Sequence, residues 1–206
     1  MKNIKMKSQN EYIGDDSFVK MLEHYRCPMP LNVIKMRFAG SICSPNLELR
    51  PTDVISSFWP KGQEPRLETK KEAELFFKFF MGLWDDIFTA VKVNRIRLDK
   101  IKADSPAALK EACLSRYDEI EAGFIEGFWG GKENLQLPAY LAEMIDSLSD
   151  LAALYARLAD KIDAADSLEA VGSAVHHTDR MVEKAIDFII ENSVLPRIEE
   201  LKRTVN

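Results

Sequence analysis

The sequence predicts an all-α protein. It reads as a single helical domain in which one aromatic central helix is wrapped by shorter helices and covered by a long C-terminal antiparallel helical hairpin. Three stretches predict this. Residues 69–91, TKKEAELFFKFFMGLWDDIFTAV, place apolar side chains at helical spacing behind a capping box formed by Thr69 and Glu72. The stretch after Ser105-Pro106 opens on a cap and a tolerated first-turn proline, and stops at Gly130-Gly131. Residues 141–189 carry two apolar seams with intervals of three and four, joined by a short turn.

Taken in order, residues 1–16 are polar with little periodic pattern and are expected to form a mobile tail. The helical domain is expected to run over 17–206, with 17–136 forming one region and 137–206 the hairpin. Phe18, Met21, Leu22 and Tyr25 mark a short amphipathic helix, and Pro28 and Pro30 then hold the backbone extended. Leu31, Ile34, Met36, Phe38 and Ile42 read best as a helix ending near Gly40, with a short strand as the alternative. Ser44-Pro45-Asn46 turns the chain, and Pro51-Thr52-Asp53 starts a short helix with Val54, Ile55, Phe58 and Trp59 inward. A loop with two prolines and a glycine, residues 60–65, leads to the central helix. There Ala73, Phe76, Phe77, Phe80, Leu83, Trp84, Ile87, Phe88 and Val91 make the main stripe, widened by Leu75, Phe79 and Met81. A helix this apolar is expected to be covered on more than one side.

Residues 92–102 are the most basic stretch. They read as a connector whose Val93, Ile96, Leu98 and Ile101 touch the core. The following helix carries Leu109, Ala112, Cys113, Ile120, Phe124 and Phe128 at helical spacing. Gly123 and Gly127 lie inside it, and each costs about 1 kcal/mol relative to alanine. Close approach of another helix, or of a ligand beside bare backbone, is expected to offset that. Leu141, Met144, Leu148, Leu151, Tyr155, Leu158 and Ile162 form the first hairpin seam. Leu168, Val171, Val175, Thr178, Val182, Ala185 and Ile189 form the second. The turn is expected at Ala164-Ala165-Asp166, with Asp166 and Glu169 as an acidic capping pattern, and Pro196 breaks the last helix.

Bulk properties narrow the function. The chain of 206 residues is long enough for one large domain, and its net charge of -5 argues against whole-surface nucleic-acid binding. No apolar run approaches the ~20 residues that span a bilayer, and the start, MKNIKMKSQNEYIGDD, has no secretory apolar segment. Cys27, Cys43 and Cys113 are odd in number and lack CxxC spacing, which fits reduced thiols and a cytoplasmic location.

No catalytic residue and no cofactor are assigned. His176 and His177 are adjacent, so they diverge by about 100° on a helix and do not share an ion; the i, i+4 pair of a metal helix is absent. Asp85-Asp86, Asp118, Glu119, Glu121 and Glu126 read as acidic helix surface. Trp84, Asp85, Gly123 and Gly127 are the candidate ligand-binding residues, on the expectation of a cleft beside the bare glycine backbone. The leading expectation is a protein-interaction or regulatory module with a protein partner, and the helix seams suit a homodimer. Residues 92–102 lack the interleaved aromatics of a base-stacking surface, so a nucleic-acid role ranks third.

Two segments also carry a resemblance. RLETKKEAELFFKFFMGLWDDIF and YDEIEAGFIEGFW resemble the YgfB/YecA-like family of small bacterial proteins, which have an acidic aromatic helix of the form EAxxFFxxLMxLWNxI followed by WxxGFxxG. Glu72, Ala73, Phe76, Phe77, Met81, Leu83, Trp84 and Ile87 match the first pattern, and Gly123, Phe124 and Gly127 the second. The upstream piece from Leu31 to Pro60 is similar to the family's opening hairpin, so the likeness covers residues 31–157. Asp86 departs from a position that is often small or polar, and Ile120 replaces the tryptophan. Some members end in a cysteine-rich zinc motif, which is not carried over because no cysteine follows Cys113. The resemblance implies an all-helical cytoplasmic protein with regulatory or protein-binding roles and no catalytic residues.

Overall fold

The computed structural model describes residues 11–132, 135–162 and 167–204. Among them there are helices and no strand. Helix α1 spans Asp15–His24, α2 Leu31–Cys43, α3 Pro51–Ser56 and α4 Lys70–Lys92. One continuous helical run then comprises α5, Pro106–Asp118, a π-helical segment, Glu119–Ile125, and α6, Glu126–Trp129. Helices α7, Ala139–Lys161, α8, Leu168–Ser193, and α9, Leu195–Thr204, complete the chain. The turn expected at Ala164–Asp166 and its Asp166 cap lie outside the described residues; the observed cap of α8 is Ser167, whose hydroxyl accepts the Ala170 N–H at 3.3 Å.

The hub of the fold is α2, against which the aromatic helix expected over residues 69–91 packs. Helix α2 buries Val33, Ile34, Met36, Phe38 and Ile42. It packs against α1, α3, α4, the π-helical segment, α6 and α8. The helix neighbours of α4 are α2 and α3, with Phe18 of α1 meeting Phe80 edge-on at 5.2 Å between ring centres. Phe76, Phe80, Leu83, Ile87 and Val91 are buried as one stripe of α4, while Leu75, Phe77 and Phe88 are exposed. So α4 lies at the edge of the bundle and is covered on one face. Hydrophobic content alone does not distinguish a central helix from an edge helix with a second apolar face.

Glycines set how closely the hub is packed. A Cβ on Gly40 would lie 1.9 Å from the Phe124 carbonyl oxygen, and one on Gly127 would lie 2.2 Å from that of Arg37. At Gly123 it would lie 2.8 Å from the Met36 Cβ. The interior glycines are therefore offset by close approach of another helix, the plainer of the two expectations. The sequence reading has an unbroken α-helix here, and the π turn is the difference. The widened turn leaves the Ala122 carbonyl available, and the Arg37 guanidinium takes it, with Nε at 2.8 Å and Nη2 at 2.5 Å. Gly130, at φ 56°, ends α6 in the left-handed conformation that glycine adopts readily.

Residues 1–10 of the expected tail lie outside the described residues, and residues 11–16 are placed on the fold. Helix α1 already begins at Asp15, and Glu11 lies across α4, where a Cβ on Gly82 would come within 2.8 Å of its carbonyl oxygen. Tyr12 donates to Asp15 at 2.6 Å, and Lys35 of α2 holds the same carboxylate at 2.7 Å. At the other end α7 and α8 pack together as the expected hairpin. Leu148, Tyr155, Val175, Val182 and Ile189 are fully buried, so the seams are used within the chain. Helix α8 ends at Ser193, and Pro196 falls in the first turn of α9. Arg197 then donates to the Ile42 and Ser44 carbonyls at 3.1 and 2.8 Å, tying the C-terminal helix to the end of the hub.

Candidate functional site: a groove floored by a buried ionic cluster

The basic connector runs alongside α8 and is held there by acids of that helix. The Asn94 side chain donates to Glu191 at 3.1 Å, Arg97 to Asp187 at 2.8 Å, and the Leu98 N–H to Glu183 at 3.0 Å. Ile96 is buried and Leu98 and Ile101 pack partly on the core, as expected, but Val93 is exposed. Between the connector and α8 lies a groove of about 860 Å³. Its apolar surface comes from Leu98, Ile101, Leu109, Leu168 and Val175. It follows α8 from Leu168 to Glu183, which is ~22 Å at the α-helical rise.

The floor of the groove holds charge. Arg116 of α5, only 2% exposed, donates Nε to Asp179 Oδ1 at 3.1 Å and Nη2 to the Asp99 carbonyl at 2.5 Å, and it also grips Glu119 through Nη1. Tyr155 of α7 donates its hydroxyl to the same Asp179 oxygen at 2.7 Å. Asn32 of α2 donates to Glu119 at 2.6 Å. The cluster thus joins α2, α5, the π-helical segment, α7, α8 and the connector. Such a buried group is held in place because removing one partner leaves another charge unpaired. His176 Nδ1 stands 3.9 Å from the second oxygen of Asp179, at the groove wall.

The electrostatics hold the groups of the floor in their resting protonation states. Burial alone would weaken the Arg116 charge, but Glu119 and Asp179 more than offset it and hold the guanidinium protonated. Burial, then the hydrogen bond to Asp179, push the Tyr155 hydroxyl well above its ordinary range. The Cys113 thiol beside the cluster is also pushed up, by burial and by the Asp179 charge. Arg116 and Tyr155 are thereby kept in their resting forms and engaged internally, and the Cys113 thiol is kept protonated. At the rim the balance is different. Lys100 and Arg180 have no side-chain partner among the described residues. Two acids of the groove are engaged inward, Asp179 by Arg116 and Tyr155 and Glu183 by the connector backbone, while Glu169 is exposed at the far end.

The sequence candidates fall elsewhere and are not brought together. Gly123 and Gly127 face the backbone of α2, whose Met36 and Arg37 fill the space a ligand would need. Trp84 packs edge-on to Phe38, with ring centres 5.1 Å apart, and Phe38 lies on the opposite face of α2 from those glycine contacts. Asp85 follows Trp84 on α4, and its carbonyl accepts the Thr89 hydroxyl at 2.8 Å. The hub helix therefore lies where the predicted cleft would be. Gly127 does border a separate small cavity of about 180 Å³ with Arg37, Ser41 and Glu126. Glu119, read from sequence as helix surface, is instead buried and converges with Asp179 on Arg116. The signal that could have found the cluster is the interval Leu109, Cys113, Arg116, Ile120, in which an arginine occupies a place in the apolar stripe of its helix.

Among the described residues no three His, Cys, Asp or Glu side chains gather as a cation site, and no helix is long and apolar enough to cross a membrane. Comparison with family models, with curated proteins and with solved structures returned no match.

Proposed function

We propose that this chain is a non-enzymatic recognition module that binds a segment of a partner protein in the groove between the connector and α8. The observation that carries the reading is the contrast inside that groove: apolar side chains along ~22 Å with the central acids Asp179 and Glu183 turned inward, against Lys100 and Arg180 at its rim, which have no side-chain partner among the described residues, Glu169 standing exposed at the Leu168 end. An elongated peptide with aliphatic side chains and flanking carboxylates is complementary to it. Residues 96–103 make no backbone–backbone hydrogen bond among the described residues, and beyond the Ile96 and Asp99 carbonyls and the Leu98 N–H, which side chains engage, main-chain groups along that wall are open to an extended occupant. The cluster beneath supports binding rather than turnover, since its groups neutralise one another. The resemblance of Glu72 to Ile87 and of Gly123 to Gly127 to the YgfB/YecA-like family supports the same reading, because that family implies regulatory or protein-binding roles.

Selection of a displayed peptide library against the immobilised full chain tests this. The expected result is enrichment of peptides carrying Asp or Glu beside Leu, Ile or Val. Their binding should weaken at least tenfold in the double variant Lys100→Glu, Arg180→Glu and fall with added salt. No enrichment, or peptides that bind the double variant equally well, overturns the proposal.

A further inference from the structure

Arg116 joins the two walls of the groove from beneath. Its Nη2 donates to the Asp99 carbonyl of the connector at 2.5 Å, and its Nε to Asp179 of α8 at 3.1 Å. One guanidinium therefore spans the groove at this level. Lys100 and Arg180 are the next residue along each wall, and both line the groove. The two cations thus stand at one level on facing walls. Both are exposed, and neither has a side-chain partner among the described residues.

The other charges near this level are engaged. Asp179 Oδ1 takes donors from Arg116 and Tyr155, and its Oδ2 faces the His176 imidazole at 3.9 Å. Glu183 accepts the Leu98 N–H, and Arg97 pairs with Asp187 at 2.8 Å. Asp99 gives its carbonyl to Arg116 and does not line the groove. Glu169 lies eleven residues before Arg180 on α8, ~16 Å along the helix. The buried cluster has two carboxylates, Asp179 and Glu119, for one guanidinium, so an anion is held above it only where both rim cations reach that anion.

Two unmatched cations at one level set the charge of the occupant. A carboxylate balances one of them and leaves the other. A phosphate monoester carries about −1.5 to −2 charge at pH 7 and has three acceptor oxygens, enough for an ammonium from one wall and a bidentate guanidinium from the other. Apolar side chains lie to both sides of this level, Leu98 toward the Glu183 end and Leu168 at the opposite end. Resting on the groove reading, we propose that the occupant is a partner segment phosphorylated on a central serine or threonine, its phosphate clamped between Lys100 and Arg180 and its flanking aliphatic side chains on the groove floor. Serine and threonine are short enough to keep those flanks in contact while the phosphate reaches the rim.

The test uses synthetic peptides with phosphoserine, Asp or Ser fixed at the centre and the flanking positions randomised. They are screened against the immobilised full chain, and the strongest sequences are measured by fluorescence anisotropy. The phosphoserine peptides are expected to bind about tenfold more tightly than their Asp counterparts, and the Ser peptides least well. Lys100→Gln and Arg180→Gln should each bring the phosphoserine-to-Asp ratio close to one. Both side chains are exposed and without side-chain partners among the described residues, so the variants keep the fold. Inorganic phosphate at the peptide's concentration should leave the complex intact. Phosphoserine peptides no tighter than the Asp series, or a preference that survives both glutamine variants, overturn the proposal and leave the groove reading standing. Displacement by an equal concentration of inorganic phosphate assigns the clamp to the free ion and also overturns it. If none of the three series binds, both fall.

Discussion

Arg116 and Asp179 are 63 positions apart in the chain, yet the guanidinium Nε of one donates to the carboxylate of the other at 3.1 Å beneath the groove. Both side chains are largely shielded from water. Arg116→Ala is expected to destabilise the fold by about 3–5 kcal/mol, because Asp179 and Glu119 would be left buried without their counter-charge. Urea denaturation of wild type and variant checks this. Tyr155→Phe, which removes only the neutral donor to Asp179, should cost about 1–3 kcal/mol.

Glycines inside the helices should respond in opposite ways. Gly40→Ala and Gly127→Ala force a methyl into backbone at 1.9 and 2.2 Å, so both helices must separate. Each is expected to lower thermal stability strongly or to prevent folding. Gly172 on α8 has nothing within 4 Å of its added Cβ. Gly172→Ala should raise stability by about 0.5–1 kcal/mol through helix propensity alone. Melting temperatures of the three variants give the comparison.

Stability should fall on the alkaline side. Burial pushes the Cys43 thiol from its ordinary 9.0 up to about 12. Between those values the unfolded chain has lost a proton that the folded chain keeps, so unfolding is favoured as pH rises. One such group contributes a slope of up to about 1.4 kcal/mol per pH unit. Tyr155 and Tyr12 act in the same direction from about pH 10, the ordinary tyrosine value. Urea midpoints measured from pH 7 to 11 should therefore decline above about pH 9. The decline should be shallower in Cys43→Ala after correction for its neutral-pH stability.

Helix α4 begins at a cap that can be tested directly. The Thr69 hydroxyl accepts the Glu72 N–H at 3.1 Å, and the Glu72 carboxylate reaches back to the Glu68 N–H at 2.8 Å. The expected box is present with its return bond one residue earlier than the simplest pattern. Thr69→Ala should cost about 1 kcal/mol, and Thr69→Asp should retain most of the wild-type stability. Chemical denaturation at neutral pH separates the two.

Several elements were legible because their signals are local. Thr69 and Ser105 cap the helices they were expected to cap, Pro106 stands in a first turn, and the hairpin seams from Leu141 to Ile189 repeat at helical intervals. Those features depend on hydrogen bonds and side-chain spacings within a few residues, which composition and order determine. The stop at Gly130 belongs to the same class.

Which helix sits at the centre was decided only in three dimensions. Residues 70–92 are the more aromatic, but 31–43 carry Gly40, and only a helix with bare backbone on one side can be approached from all round. The site followed the same rule. Trp84, Asp85, Gly123 and Gly127 looked like neighbours because each is unusual within its own helix, but α2 fills the space that would have joined them. Arg116, Tyr155 and Asp179 looked ordinary one at a time and converge because three helices pack at one level. The chain order by itself determined where helices start, stop and turn their apolar sides. Tertiary structure alone decided which of those sides face one another, because the free energy of burying a charge or omitting a methyl depends on what arrives from a distant part of the chain.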